Sequence, residues 1–210
     1  MRSPDLTRTL LLAGALGPVV FIATFLIEGA TRPGYSAWRT YISHLALGEG
    51  GWVQVANFLF CGGCVVLFAI GASSVLGVGP AATWGPRLLF LFGSSLIVAG
   101  LFVADPPGLP TGRLQSVHGT VHGIAGLIAF TSLSAAAFVF ARRFSGGWST
   151  GSRLAGATVL GCFVVSSFGS VLMETSAVPD FPVGFVQRIA IVTGWTWVAL
   201  LALRLRREVA

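Results

Sequence analysis

The sequence predicts an all-α, polytopic membrane protein: six transmembrane helices in one bundle, with both termini cytoplasmic. Three observations carry that prediction. First, 54% of the 210 residues are hydrophobic and 10% are charged, with a mean hydropathy of +0.84. That is more apolar surface than a water-soluble domain can bury. Second, stretches near the roughly 20 residues needed to cross the hydrocarbon core occur at about 10–29, 53–76, 87–104, 117–141, 154–173 and 184–203. Third, all 13 basic residues are arginines, and they segregate. Arg2, Arg8, Arg87, Arg142, Arg143, Arg153, Arg204, Arg206 and Arg207 fall on the side of the termini, while Arg32, Arg39, Arg113 and Arg188 fall on the other. The positive-inside rule then places both ends inside.

The first span follows two arginines and has no small-residue cleavage site behind it, so it reads as a retained helix rather than a signal peptide. Gly14, Gly17 and Pro18 within it predict a kink and a close helix contact. Glu28 ends it near the outer boundary. The longest connection, "TRPGYSAWRTYISHLALGEGG" at 31–51, carries Tyr35, Trp38 and Tyr41 at spacings of three, continued by Ile42, Leu45 and Ala46. This stripe predicts an amphipathic helix lying in the outer interface, with a re-entrant lid over a pocket as the alternative. Glycines and prolines at 77–86 mark a short inner turn. "DPPGLPTGRLQSVHGTVHG" at 105–123 leads from an outer loop into the fourth span. "RRFSGGWSTGSR" at 142–153 reads as a solvated inner loop, and "METSAVPDFPVG" at 173–184 is the last outer loop.

Little chain remains beyond these connections, so 1–210 reads as a single membrane domain, multi-pass in the cell membrane. The sequence pI of 10.6 follows from this topology and from contact with anionic lipid headgroups; it requires no nucleic acid. The 28 glycines permit close helix packing, within the monomer or between protomers of a homo-oligomer.

The titratable groups are as lopsided as the arginines. Glu28, Glu49, Asp105, Glu174 and Asp180, five of the seven acids, lie on the outer side, as do His44, His118 and His122. Two chemistries compete for them. His118 and His122, four apart, share one helical face and form a two-tooth ligand pair that Asp105 would complete. His44, Glu28 and Glu174 stand at similar depth. A zinc ion so held would keep an open position for a water with a pKa near 7. Against this, the interleaved Gly119, Gly123 and Gly126 suggest a tightly packed face, on which the histidines serve a hydrogen-bond network.

The second chemistry needs no metal. Glu28, Asp105 and Glu174 would surround Arg188, a buried cation that needs a counter-ion or a ligand anion. An acid left unpaired in an apolar cavity becomes a proton donor, and aromatic faces would stabilise a cationic intermediate. Structural ion pairs between helix ends are the alternative. Cys61 and Cys64 form a C-x-x-C pair, but deep in the second span, where small residues for helix packing explain them better than redox chemistry.

"RPGYSAWRTYISHLALGEGGWVQVANF", "LFVADPPGLPTG…HGTVHG" and "GFVQRI" together resemble the domain-of-unknown-function family 998, six-helix membrane proteins of bacteria and archaea, over essentially the whole chain. Matching positions are Gly34, Tyr35, Ser36, Ile42, Ser43, Leu45 and Gly48, then Asp105, Pro106 and His122, then Gln187 and Arg188. His44 falls outside them. The resemblance implies the fold and no activity.

The expected function is an outward-facing polar pocket that binds a lipid-like or amphipathic ligand. Arg188, Gln187, Tyr35, Ser43 and Glu174 would bind it. Asp105, Glu28, His122 and His118 would carry any acid/base chemistry of isomerase or cyclase type, or metal-assisted hydrolysis. A non-enzymatic accessory subunit and a small-solute transporter are the alternatives. The transporter is disfavoured because the inner halves of the spans hold almost no ionisable residues.

Overall fold

In the computed structural model, which describes residues 2–107 and 115–209, six α-helices follow one another: α1 Pro4–Thr31, α2 Trp52–Ala72, α3 Pro80–Leu101, α4 Val117–Ala141, α5 Gly146–Glu174 and α6 Val183–Arg207. All six are long and apolar enough to cross a membrane. Local signals set several ends. Ser3 accepts the Leu6 N–H ahead of Pro4, and Ser116 accepts the Gly119 N–H at 3.0 Å at the start of α4; each supplies an acceptor for an otherwise orphaned helix donor.

Each helix packs on the next, and α6 returns to α1, so the six close into a ring. Alternate crossings bring both chain ends to one side, the proximal end, where Arg8 donates to the Val209 carbonyl at 3.2 Å. Large side chains fill the proximal half of the ring, among them Leu11, Phe68, Leu89, Phe140, Trp197 and Leu205. The outward faces are apolar, with Leu12, Leu16 and Val19 on α1 and Val164, Val165 and Phe168 on α5 exposed, a belt suited to contact with lipid.

Small residues let the backbones approach closely. At the crossing of α2 and α3, a Cβ on Gly62 would stand 2.7 Å from the Gly93 carbonyl oxygen, and one on Gly93 would stand 2.8 Å from that of Gly62. The C-x-x-C pair belongs to the same design. A Cβ on Gly17 would come within 2.9 Å of the Cys64 Cβ, and Cys61 Sγ donates to Asn57 Oδ1 at 3.3 Å.

Two elements depart from the sequence expectation. Helix α5 begins at Gly146, so the supposed loop 142–153 is mostly helix. Its polar residues have partners there: Ser149 donates to the Ala141 carbonyl, and Ser152 accepts the Trp197 indole N–H at 3.0 Å. The second departure is the 31–51 connection. In place of an amphipathic α-helix it forms turns and a five-residue 3-10 helix, Ile42–Ala46. Pro33 and Gly34, the latter at φ +74°, break the helix early. The carbonyls of Ala37, Trp38 and Thr40 then bond to α6 rather than along a helix of their own.

The glycines separate into two kinds with opposite expected responses. Gly93→Ala should lower the unfolding free energy by about 1–3 kcal/mol, because the obstacle is backbone. Gly126→Ala, whose Cβ would meet nothing within 4 Å, should be neutral or up to about 1 kcal/mol stabilising through helix propensity. Thermal unfolding in detergent micelles reads both.

Candidate functional site: a cavity at the distal end

At the end opposite the termini, the 31–51 segment folds over the ring and is tied to α6. Arg188 Nη1 donates to the carbonyls of Ala37 at 2.7 Å, Thr40 at 3.1 Å and Gly184 at 2.8 Å, and Nη2 donates to the Tyr35 hydroxyl. The backbone N–H groups of Gly184 and Phe185 donate to the Trp38 carbonyl, at 3.0 and 3.2 Å, so the segment also caps α6. Gln187 Oε1 accepts the Ile42 N–H at 2.8 Å. Gly184 permits the approach, since a Cβ there would lie 2.4 Å from the Thr40 carbonyl oxygen. Further ties reach α5, where the Tyr41 hydroxyl donates to the Ser166 carbonyl at 2.7 Å and accepts from Ser170 at 2.6 Å. Ile42 and Leu45, 1% and 0% exposed, are driven into the bundle.

Beneath this lid lies a cavity of about 950 Å³ to which all six helices contribute lining residues. Its α6 wall runs from Val183 to Trp195, 12 residues or about 18 Å at 1.5 Å per residue. The floor is aromatic: Phe21 stacks on Trp195 at 4.7 Å, and Phe92 leans on the same ring at 5.4 Å. Phe130 and Phe163 stack at 4.8 Å between α4 and α5. The polar groups gather nearer the mouth, where Ser43, His44, Asp105, His122, Glu174 and Gln187 all line the wall.

The glycines of α4 help make this room. Gly123 and Gly126 line the cavity, and a Cβ on either would touch nothing within 4 Å, whereas Gly119 packs against the Asp105 carboxylate. The face expected to pack tightly is therefore largely open.

The two site histidines differ. His122 Nδ1 lies 3.0 Å from the Ala99 carbonyl oxygen and 2.9 Å from that of Phe102, at the C-terminal end of α3. Carbonyls only accept, so Nδ1 carries the proton. His44, in the lid, has its Nδ1 enclosed without a partner. Burial pushes the His44 pKa from the ordinary 6.5 down to about 4. Asp105 closes the α3–α4 connection: Oδ2 accepts the Ser116 N–H at 2.8 Å and Oδ1 accepts its hydroxyl at 2.6 Å.

The sequence candidates thus divide into two groups. Asp105, His122, Ser43, Glu174 and Gln187 share the cavity; Glu28, Tyr35, Arg188 and His118 do not line it. Glu28 pairs with Arg32 at 3.1 Å, and Arg32 in turn donates to the Leu47 carbonyl at 2.7 Å. Arg188, expected to face a carboxylate or a ligand anion, donates to neutral oxygens, because the lid brings the carbonyls of Ala37 and Thr40 and the Tyr35 hydroxyl to it and α6 itself supplies the Gly184 carbonyl. His118 packs its ring on Phe102 at 5.2 Å. Among the described residues, no three His, Cys, Asp or Glu side chains come together as metal ligands, so the proposed His118–His122–Asp105 zinc set is not assembled. His122 is turned toward backbone carbonyls instead, and Asp105 toward the N–H and hydroxyl of Ser116. Arg113, counted at this end from the sequence, lies outside the described residues.

Sequence reasoning places Tyr41 only in an apolar stripe, without its tie to α5, and misses the Ser166–Ser170 strip and the buried pair Gln54 and Asn57, joined by a bond of 3.2 Å. The "SSFGS" run in an otherwise apolar span was the available signal for the serines. His44, which falls outside the resemblance, lines the same cavity.

Six apolar spans closed over a polar-mouthed cavity make this a helical multi-pass membrane protein. The family model described as "Protein of unknown function (DUF998)" matches residues 15–204, and the chain belongs to that family. No curated protein and no solved structure matches it.

The clamp and the lid histidine each make an expectation. Arg188→Ala should destabilise the protein by about 2–3 kcal/mol through lost charge-assisted hydrogen bonds, and should raise protease sensitivity and hydrogen exchange first at 36–47. For His44, the unfolded chain binds more protons than the folded one between the folded pKa of about 4 and the ordinary 6.5. Stability therefore falls as pH drops through that window, by at most roughly 3 kcal/mol from this group. A pH series of melting curves should show the fall in the native protein and a shallower one in His44→Gln.

Proposed function

We propose that this protein sits in the cell membrane with the distal cavity facing outward and binds there a lipid-like, amphipathic ligand. The observation that carries the reading is the polarity gradient of the cavity. Its floor is aromatic and aliphatic, its mouth holds His44, Asp105, His122 and Glu174, and it runs about 18 Å along α6, a length to be compared with a hydrocarbon core of about 30 Å. A ligand with a polar head and an apolar tail matches both ends at once. The arginine distribution supports the orientation, with nine of the 13 on the side of the termini.

Binding is favoured over acid/base chemistry because the residues expected to act as a pair are apart. Glu28 is held by Arg32 away from the cavity, and both Asp105 oxygens accept hydrogen bonds from Ser116.

The test fills the cavity without touching its polar mouth. Gly126→Leu places a side chain into open space, so the protein should fold with native stability while losing bound amphiphile. Native mass spectrometry of wild type and variant, purified in the same detergent, reads the difference. A variant that retains the wild-type complement of bound lipid, or a wild type that carries none and takes none up, would overturn the reading.

A further inference from the structure

We infer that the ligand of the distal cavity presents an uncharged hydrogen-bond donor, an alcohol or phenol hydroxyl, to Nε2 of His122, with its apolar tail directed to the floor at Trp195. This rests on the reading of the cavity as an amphiphile site and adds the chemistry of the head. The steps are geometric. Two carbonyl oxygens, of Ala99 and Phe102, hold the His122 proton on Nδ1. In that tautomer the lone pair is on Nε2. Nδ1 is turned to α3, and the ring lines the cavity, so Nε2 is the acceptor on the cavity side. Phe58 holds the ring edge-on with centroids 6.3 Å apart. An acceptor so fixed selects a donor, because a ligand without one leaves it desolvated and unpaired.

Charge on the wall argues against an anionic head. Among the described residues, Arg39 is the one arginine lining the cavity, and it pairs with Asp180 at 3.0 Å. Of the other described arginines at this end, Arg188 is bound to the lid and Arg32 pairs with Glu28. Glu174 and Asp105 face the same space, so a phosphate or carboxylate would meet acids there. The cavity continues from His122 down through Phe92 to Trp195, which gives a straight tail somewhere to go.

Three matched probes test this: hexadecanol, its methyl ether and hexadecyl phosphate, each titrated into the purified protein in mixed micelles while tryptophan fluorescence is followed. The expected result is that the alcohol binds and that the ether, identical but for the donor, binds about tenfold more weakly or worse. The phosphate should not exceed the ether, and Gly126→Leu should abolish all binding. His122→Phe should bring alcohol and ether to equal affinity. Since that variant also loses the tie to α3, protein with nitrogen-labelled histidine gives an independent reading by NMR. The alcohol should shift an unprotonated Nε2 resonance of an Nδ1-protonated ring, and the ether should leave it in place.

Equal binding of alcohol and ether to the native protein, or tighter binding of the phosphate, would overturn the donor assignment while leaving the amphiphile cavity intact. An Nε2-protonated His122 would do the same. If none of the three binds, the cavity reading itself fails, and the head-group assignment falls with it.

Discussion

The lid is held by one charged side chain that bonds to no charge. A guanidinium carries its donors in a fixed fork, and Arg188 uses its two terminal nitrogens on the carbonyls of Ala37, Thr40 and Gly184 and on the Tyr35 hydroxyl. Two of those carbonyls, of Ala37 and Thr40, belong to a segment with little helix of its own, and the third, of Gly184, lies in α6 one turn before Arg188. Arg188 thus gives lid carbonyls that lack a helical partner a charge-assisted donor from α6. Gly184 and Gln187, one turn and one residue before it, extend the same contact. The N-terminus of α6, the lid and the distal rim of the cavity stand or fall with this cluster.

A closed ring of helices has an interior that must be filled or left as a site. In the proximal half it is filled by Phe140, Trp197, Leu201 and Leu205. In the distal half α4 offers Gly123 and Gly126, with nothing opposite them within reach of a Cβ. The lid covers that space with Ile42, Ser43 and His44 rather than plugging it, because Arg188, Gln187 and Tyr41 fix its height above the floor. Cavity and lid are thus consequences of one arrangement. Small residues leave room inside the ring, and hydrogen bonds at the rim stop the lid from collapsing into it.

Much of the site was legible one residue at a time, and less of it in combination. Asp105, His122, Ser43, Gln187 and Glu174 were singled out and do meet at one cavity. Glu28 and Arg188 were also singled out, on the ground that ionisable groups at membrane depth seek partners. That ground was sound, but the partners were local: Arg32 four residues on, and backbone oxygens from the lid. The glycines of α4 were misjudged for a similar reason. A glycine in a membrane helix signals either a close backbone, as at Gly62 and Gly93, or an open space, as at Gly126. No spacing rule separates the two, because the difference lies on the neighbouring helix.

The sequence by itself determined that the chain forms six membrane-spanning helices and belongs to its family. Hydropathy over a span and the residues of a motif are properties of short stretches, and they add along the chain without reference to other helices. It also placed most of the polar chemistry at one end. Only the tertiary structure decided which of those groups share a cavity, that 31–51 folds over the ring as turns and a 3-10 helix rather than an α-helix, and that His122 turns Nδ1 to the carbonyls at the end of α3. Each of these depends on the rotation of one helix against another and on which backbone groups were left without partners. Those quantities are settled by packing between segments far apart in sequence, so no local pattern encodes them.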